Sequence, residues 1–205
     1  MQGTADLDGR GLEFNGRVIA GGRQNRGERV TFSIGKPRVR ARSAGRDLYA
    51  AAVRQARTKE LYADMGAPDT TEGRFELLTL HVLLLIEALR ALGPIGRPSI
   101  QALFDAYVSD LDGALREMGV GDLTVGKRMR ALGRAFYGRA ASYHDAFEKL
   151  PDRAPLENLI ARTVMGAESE AGSTGLASYV VRCHDALMAA GAEAMLGACP
   201  PWPSP

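Results

Sequence analysis

The chain has 205 residues, 45% hydrophobic, 24% charged and 6% aromatic, a length that suits one domain and leaves little room for a second. Its 26 Lys or Arg against 24 Asp or Glu hide an asymmetry, since residues 1–46 hold ten basic and four acidic side chains and the remainder sixteen and twenty; a basic arm before a mildly acidic body is one pattern of an arm that visits polyanions. Cys183 and Cys199 are too few for a zinc site or disulfide framework, and the longest apolar run, Leu77 to Ile86, is about half a membrane span.

The first 46 residues carry nine glycines among the arginines and few large apolar side chains, a composition that predicts a disordered arm. Val30, Phe32 and Ile34 alternate as a strand would, but no sheet is in view for them to join. Asp47 reads as an N-cap, followed by a helix with Tyr49, Val53 and Ala56 on one face. KELYADMG adds a short turn of helix closed by Gly66 at the C′ position.

Pro68 breaks the chain, Asp69 and Glu72 have capping-box spacing, and Phe75 to about Leu92 is predicted helical. Apolar almost all round from Leu77 to Ile86, this segment is expected to be the central helix of a bundle. Gly93 to Pro98 form a loop, and Ser99 is the expected cap of the next helix.

Next come two amphipathic helices hinged at a glycine turn. In the first, Leu103, Tyr107, Leu111, Leu115 and Met118 recur at helical spacing, while Asp105, Ser109, Asp112 and Arg116 share the opposite face. In the second, Val125, Met129, Leu132 and Phe136 make the apolar stripe, with Lys127, Arg128, Arg130, Arg134 and Arg139 around it. At the corner Gly119 ends one helix, Val120 staples the turn, Gly121 relieves backbone strain and Asp122 caps the next helix. Gly126, Gly133 and Gly138 inside a helix cost about 1 kcal/mol each relative to alanine when exposed, which suggests close packing against a neighbour.

The second helix is expected to run to Leu150, where Pro151 and Pro155 stop it. Leu156, Leu159, Ile160 and Val164 mark a short helix, residues 167–175 a loop, and Leu176 to about Leu196 the last helix. Residues 197–205 form a Pro-rich, non-helical tail. The fold class is therefore all-α, a single helical bundle domain over residues 47–196 between the arm and the tail.

Catalytic and ligand-binding chemistry finds little support. His81 lies in the apolar helix with no second ligand one turn on, so a hydrogen-bonded core histidine is the better reading. His144 and His184 precede Asp145 and Asp185, neighbours that diverge on a helix and make no preformed dyad. GVGDLTVGK is not a phosphate loop: Arg128 stands after Lys127 where Ser or Thr is needed, and no strand precedes the glycines. Asp105 and Asp112 share a face but lie about 10 Å apart, too far to grip one ion unaided. The basic helix face suits RNA, acidic lipid headgroups or plain solvent. No cofactor, metal or DNA is expected, and the chain reads as a non-enzyme.

The segments LYAAAVRQAR, LYADMGAPDTTEGRFELLTLH and LFDAYVSDLDGALREMGVGDLTVGKRMRALGRAFYGRAASY resemble the ubiquinol-cytochrome c chaperone family, assembly factors of respiratory complex III, over Leu48 to Leu150. The resemblance implies an all-helical, non-catalytic protein that binds newly synthesised cytochrome b, with a client groove expected beside the helix of Phe75 to Leu92, and promotes assembly of ubiquinol-cytochrome c reductase. The family's mitochondrial members act with a small partner at the ribosomal exit, and for a bacterial member the resemblance implies neither the ribosome nor that partner. It further implies a bacterial member in the cytoplasm, peripheral at the inner membrane. The matching motif positions Arg74, Asp105, Asp112, Arg116, Lys127, Arg128 and Arg139, with the neighbouring Arg130, are the interaction candidates, because unpaired charges resist burial. Pro68, Gly119, Gly121 and Asp122 are the structural turn residues. A ribosome- or RNA-binding helical adaptor, using the arm and the Lys127 to Arg130 surface, is the alternative.

Overall fold

The computed structural model describes residues 35–166 and 170–205; the expectations of a disordered arm and of a strand at Val30 to Ile34 fall outside the described residues before position 35. The described residues form eight α-helices, in chain order α1 (Gly35–Ala56), α2 (Lys59–Ala63), α3 (Thr71–Ala91), α4 (Arg97–Glu117), α5 (Asp122–Phe147), α6 (Ala154–Ile160), α7 (Glu170–Ala189) and α8 (Gly191–Leu196). A 3-10 turn joins α3 to α4, a π turn comes after α6, and the described residues contain no strand.

The all-round apolar character of α3 decides the architecture. Every residue from Leu77 to Leu89 is buried apart from Leu78 and Glu87, and α3 touches α1, α4, α5, α7 and α8. Among the described residues α3 from Leu77 to Leu89 is thus largely covered by its neighbours and offers little open apolar face of its own to a client, because an all-apolar helix in water surrounds itself with partners.

The start of α3 explains a motif. Thr70, not Asp69, is its N-cap: the Thr70 hydroxyl accepts the Gly73 amide at 3.1 Å, while Asp69 accepts the Arg74 Nε at 2.5 Å. A Cβ at Gly73 would overlap the Pro68 carbonyl oxygen, so Pro68 and Gly73 together fold the entering chain onto the helix.

α1 is longer than the helix expected from Asp47. It begins at Gly35 rather than at Asp47, which lies exposed inside the helix and accepts a 3.3 Å hydrogen bond from Ser43. Ala44 is 3% exposed, and a Cβ at Gly45 would collide with Ala102 and lie 2.7 Å from the Leu103 nitrogen on α4. The small residues that resemble arm composition are what a close helix crossing requires.

Smaller corrections concern helix ends. Ser99 is buried within the first turn of α4, which starts at Arg97 with Gly96 in the N-cap position. α5 ends at Phe147, and α7 includes residues 170–175, which composition assigns to a loop. Gly66 has φ +72° as expected of a C′ glycine.

The tail folds back on the body. Trp202 packs edge-on against His81 at 5.4 Å, Gln55 Nε2 donates to the Pro203 carbonyl at 3.2 Å, and Arg182 donates to the Ser204 carbonyl at 3.2 Å. His81 itself is fully buried. Its Nδ1 donates to the Leu77 carbonyl at 2.7 Å and its Nε2 accepts the Tyr179 hydroxyl at 2.9 Å. Burial pulls its pKa down to about 4, so the ring is a neutral, satisfied core group as its surroundings in sequence suggest.

Candidate functional site

The α4–α5 hairpin carries most of the candidate residues, and its corner is rigid for identifiable reasons. Gly119 adopts φ +77°, and the Val120 and Gly119 amides return to the Leu115 and Arg116 carbonyls at 3.1 and 2.9 Å. This is the paired closure that favours glycine at the residue after a helix. Gly121 instead has φ −63° and ψ 148°, ordinary extended backbone in the N-cap position of α5. It relieves no strain, and Asp122 is the first helical residue rather than the cap.

Asp122 contributes differently. Arg116 donates through Nε to Asp112 at 2.7 Å and through Nη1 to Asp122, and these hydrogen bonds hold its guanidinium above its usual pKa. The link stitches the last turn of α4 to the first turn of α5, where a carboxylate also suits the helix dipole. All three side chains are well exposed, so the link orients the corner more than it stabilises the fold.

Apolar contacts close the hairpin unevenly. Leu115 and Val125 are buried near the corner, and Phe136 packs against Phe104 and Tyr107 at ring distances of 5.1 and 5.2 Å nearer the body. Between these points Leu111, Met129 and Leu132 are only half-buried, and Met118 is 61% exposed. A partly open apolar strip therefore runs along the outer hairpin.

Gly126, Gly133 and Gly138 do not mark close packing. An added Cβ would meet nothing within 4 Å at Gly133 or Gly138, and at Gly126 only the Arg130 guanidinium at 3.9 Å. Gly45, Gly73 and Gly96 are tight instead, each with backbone of a neighbouring segment where a side chain would stand.

The structure separates the charged candidates into three kinds. Arg139 is structural, forking onto Glu76 of α3 with Nε 2.5 Å from one carboxylate oxygen and Nη2 on the other, both side chains largely enclosed. Arg74 is exposed and paired with Asp69, and Asp105 is exposed and accepts the Gln101 amide at 2.7 Å. Lys127, Arg128 and Arg130, with Arg134, are exposed and make no ion pair among the described residues.

Sequence reasoning did not find the partners of α3. Glu76 and Glu87 flank its apolar run, and each reaches α5, Glu76 through Arg139 and Glu87 through His144 at 3.2 Å. An acid beside a fully apolar run needs a compensating partner, and that was the available signal. His184 also differs from expectation: stacked on Phe147 at 4.7 Å, it meets Asp185 at 3.1 Å although the two are adjacent in sequence. Among the described residues no group of three or more His, Cys, Asp or Glu is placed to hold a metal, and no helix is long and apolar enough to cross a membrane.

Fold and site together define a helical scaffold that presents a charged, partly apolar hairpin from an enclosed core. Residues 63–202 match the ubiquinol-cytochrome C chaperone family. A crystal structure of the Cbp3 homolog from Brucella abortus superposes with a TM-score of 0.74 at 31% sequence identity, covering 83% of this chain and 95% of that one. No curated protein matches the sequence. The chain belongs to the ubiquinol-cytochrome c chaperone family. The match extends well beyond Leu150, where the sequence resemblance ends, and takes in α7 and the tail that enclose His81.

Proposed function

We propose that the protein is a non-catalytic chaperone that holds newly synthesised cytochrome b during assembly of ubiquinol-cytochrome c reductase, working from the cytoplasm at the inner membrane. Family membership supports the pathway, and the half-open apolar strip on a rigid hairpin carries the choice of surface. Cytochrome b as client is a hydrophobic chain, and Leu111, Met118, Met129 and Leu132 offer it unbranched and branched aliphatic side chains that repack readily. The enclosed α3 offers no comparable surface.

The test is deletion of the gene in a respiring host, then complementation. Loss of the protein is expected to lower cytochrome b and ubiquinol-cytochrome c reductase, with rescue by the wild-type chain and not by Met118→Asp/Leu132→Asp. Unchanged reductase in the deletion strain rejects the chaperone reading, and full rescue by the folded double variant rejects the hairpin as client surface.

A further inference from the structure

The outer face of α5 has a property that holding an apolar client does not require. From Leu123 to His144 the sequence contains no acidic residue. Within that span Lys127, Arg130 and Arg134 recur at three- and four-residue steps and form one exposed stripe, with Arg128 on its flank. Between the cations the stripe has only Ala131, and beyond Arg134 it continues through Tyr137 and Gly138 to the half-buried Ala141. The stripe from Lys127 to Ala141 is about 21 Å long at the rise of an α-helix.

Some acids near in sequence are engaged elsewhere. Asp112 and Asp122 share Arg116, Asp110 accepts the Tyr49 hydroxyl at 2.6 Å, and Glu76 holds Arg139. On α4 the exposed Asp105 and Glu117 join no ion pair among the described residues, whereas the outer face of α5 carries cations with no acid among them. A merely solvated surface usually interleaves both signs.

Two exposed apolar groups accompany the stripe, Met118 at the corner and Tyr137, 39% exposed, along α5. Nucleic acid would answer the cations with phosphates, but the stripe has no series of aromatic side chains on which bases could stack, and Met118 would find no partner. An anionic bilayer answers both features, with phosphates for the cations and the headgroup boundary for tyrosine and methionine.

We propose that the α4–α5 hairpin docks on an anionic lipid surface through Lys127, Arg130 and Arg134, with Met118 entering the headgroup layer. The inference rests on the proposed position at the inner membrane, and on the charge layout together with Met118 and Tyr137; it does not depend on the identity of the client.

Co-sedimentation of the full chain with phosphatidylcholine vesicles, with and without phosphatidylglycerol, tests it. Binding is expected only to the phosphatidylglycerol vesicles. The variant Lys127→Gln/Arg130→Gln/Arg134→Gln is expected to lower the partition coefficient on the order of a hundredfold. Removing equal charge elsewhere, as Lys59→Gln/Arg97→Gln/Lys149→Gln, is expected to change it little, and Arg130→Lys/Arg134→Lys is expected to retain binding. Equal loss in both triple variants assigns binding to net charge, and undiminished binding of the hairpin variant assigns it to another segment; either result overturns the proposal. So does vesicle binding that is absent while single-stranded RNA binds and the hairpin variant loses it. The assay contains no client, so its failure is distinct from failure of the cytochrome b reading.

Discussion

Helix α3 and the outer half of the α4–α5 hairpin draw on similar aliphatic residues and use them in opposite ways. From Leu77 to Leu89 nearly every side chain of α3 is enclosed. Between Leu111 and Arg134 only Leu115 and Val125 are, among the described side chains. Stability therefore resides in the first region and presentation in the second. A helix surrounded by partners cannot offer a surface without unfolding its neighbours, whereas a hairpin closed by one buried pair and a stitched corner can.

Removing core volume tests this contrast most strongly. Leu80→Ala on α3 is expected to cost about 2–5 kcal/mol, while Met118→Ala on the hairpin leaves stability within about 0.5 kcal/mol; urea midpoints measure both. Similar losses at the two sites would show that the hairpin belongs to the cooperative core.

A smaller effect is expected from pH. His81 has its folded pKa pulled down to about 4 from an ordinary 6.5 because burial disfavours the imidazolium. The unfolded chain therefore takes up the proton more readily. Stability from this group is complete above about pH 6.5 and declines as pH falls toward about 4, by up to about 3 kcal/mol. Urea unfolding at about pH 7.5 and about pH 5 should show the slope, and His81→Gln should flatten that contribution while lowering stability throughout. An unchanged slope in the variant would move the pH dependence to other groups.

The smallest expected effects separate two glycines of the hairpin. Gly133→Ala, in open helix surface, is expected to stabilise by about 0.5–1 kcal/mol. Gly119→Ala, at φ +77°, is expected to destabilise by about 1 kcal/mol. Thermal unfolding of the two variants in opposite directions supports an open hairpin with a fixed corner; destabilisation by Gly133→Ala would mean that a neighbour covers that face.

Much of this contrast is legible in the residues themselves. The all-round apolar run marks α3 as central, and alternating faces mark the hairpin and its corner. His81 reads correctly as a core group because an apolar helix with no second ligand leaves it nothing else to do. The meaning of small residues was not legible: Gly45 looks like arm and is a helix crossing, while Gly133 looks like a crossing and is open surface. One sequence records that a side chain is missing, but the backbone of another segment decides whether anything occupies its place.

The charges divide in the same way. The sequence by itself determined which helix is acidic, which is basic, and that the chain is all-α, because these come from local periodicity and residue type. Only the tertiary structure decided that Arg139 is held by Glu76, that Arg116 joins two acids across a corner, and that Lys127, Arg130 and Arg134 stay exposed with no ion pair among the described residues. Ion pairs are set by distances between helices, and those distances come from how the enclosed core packs.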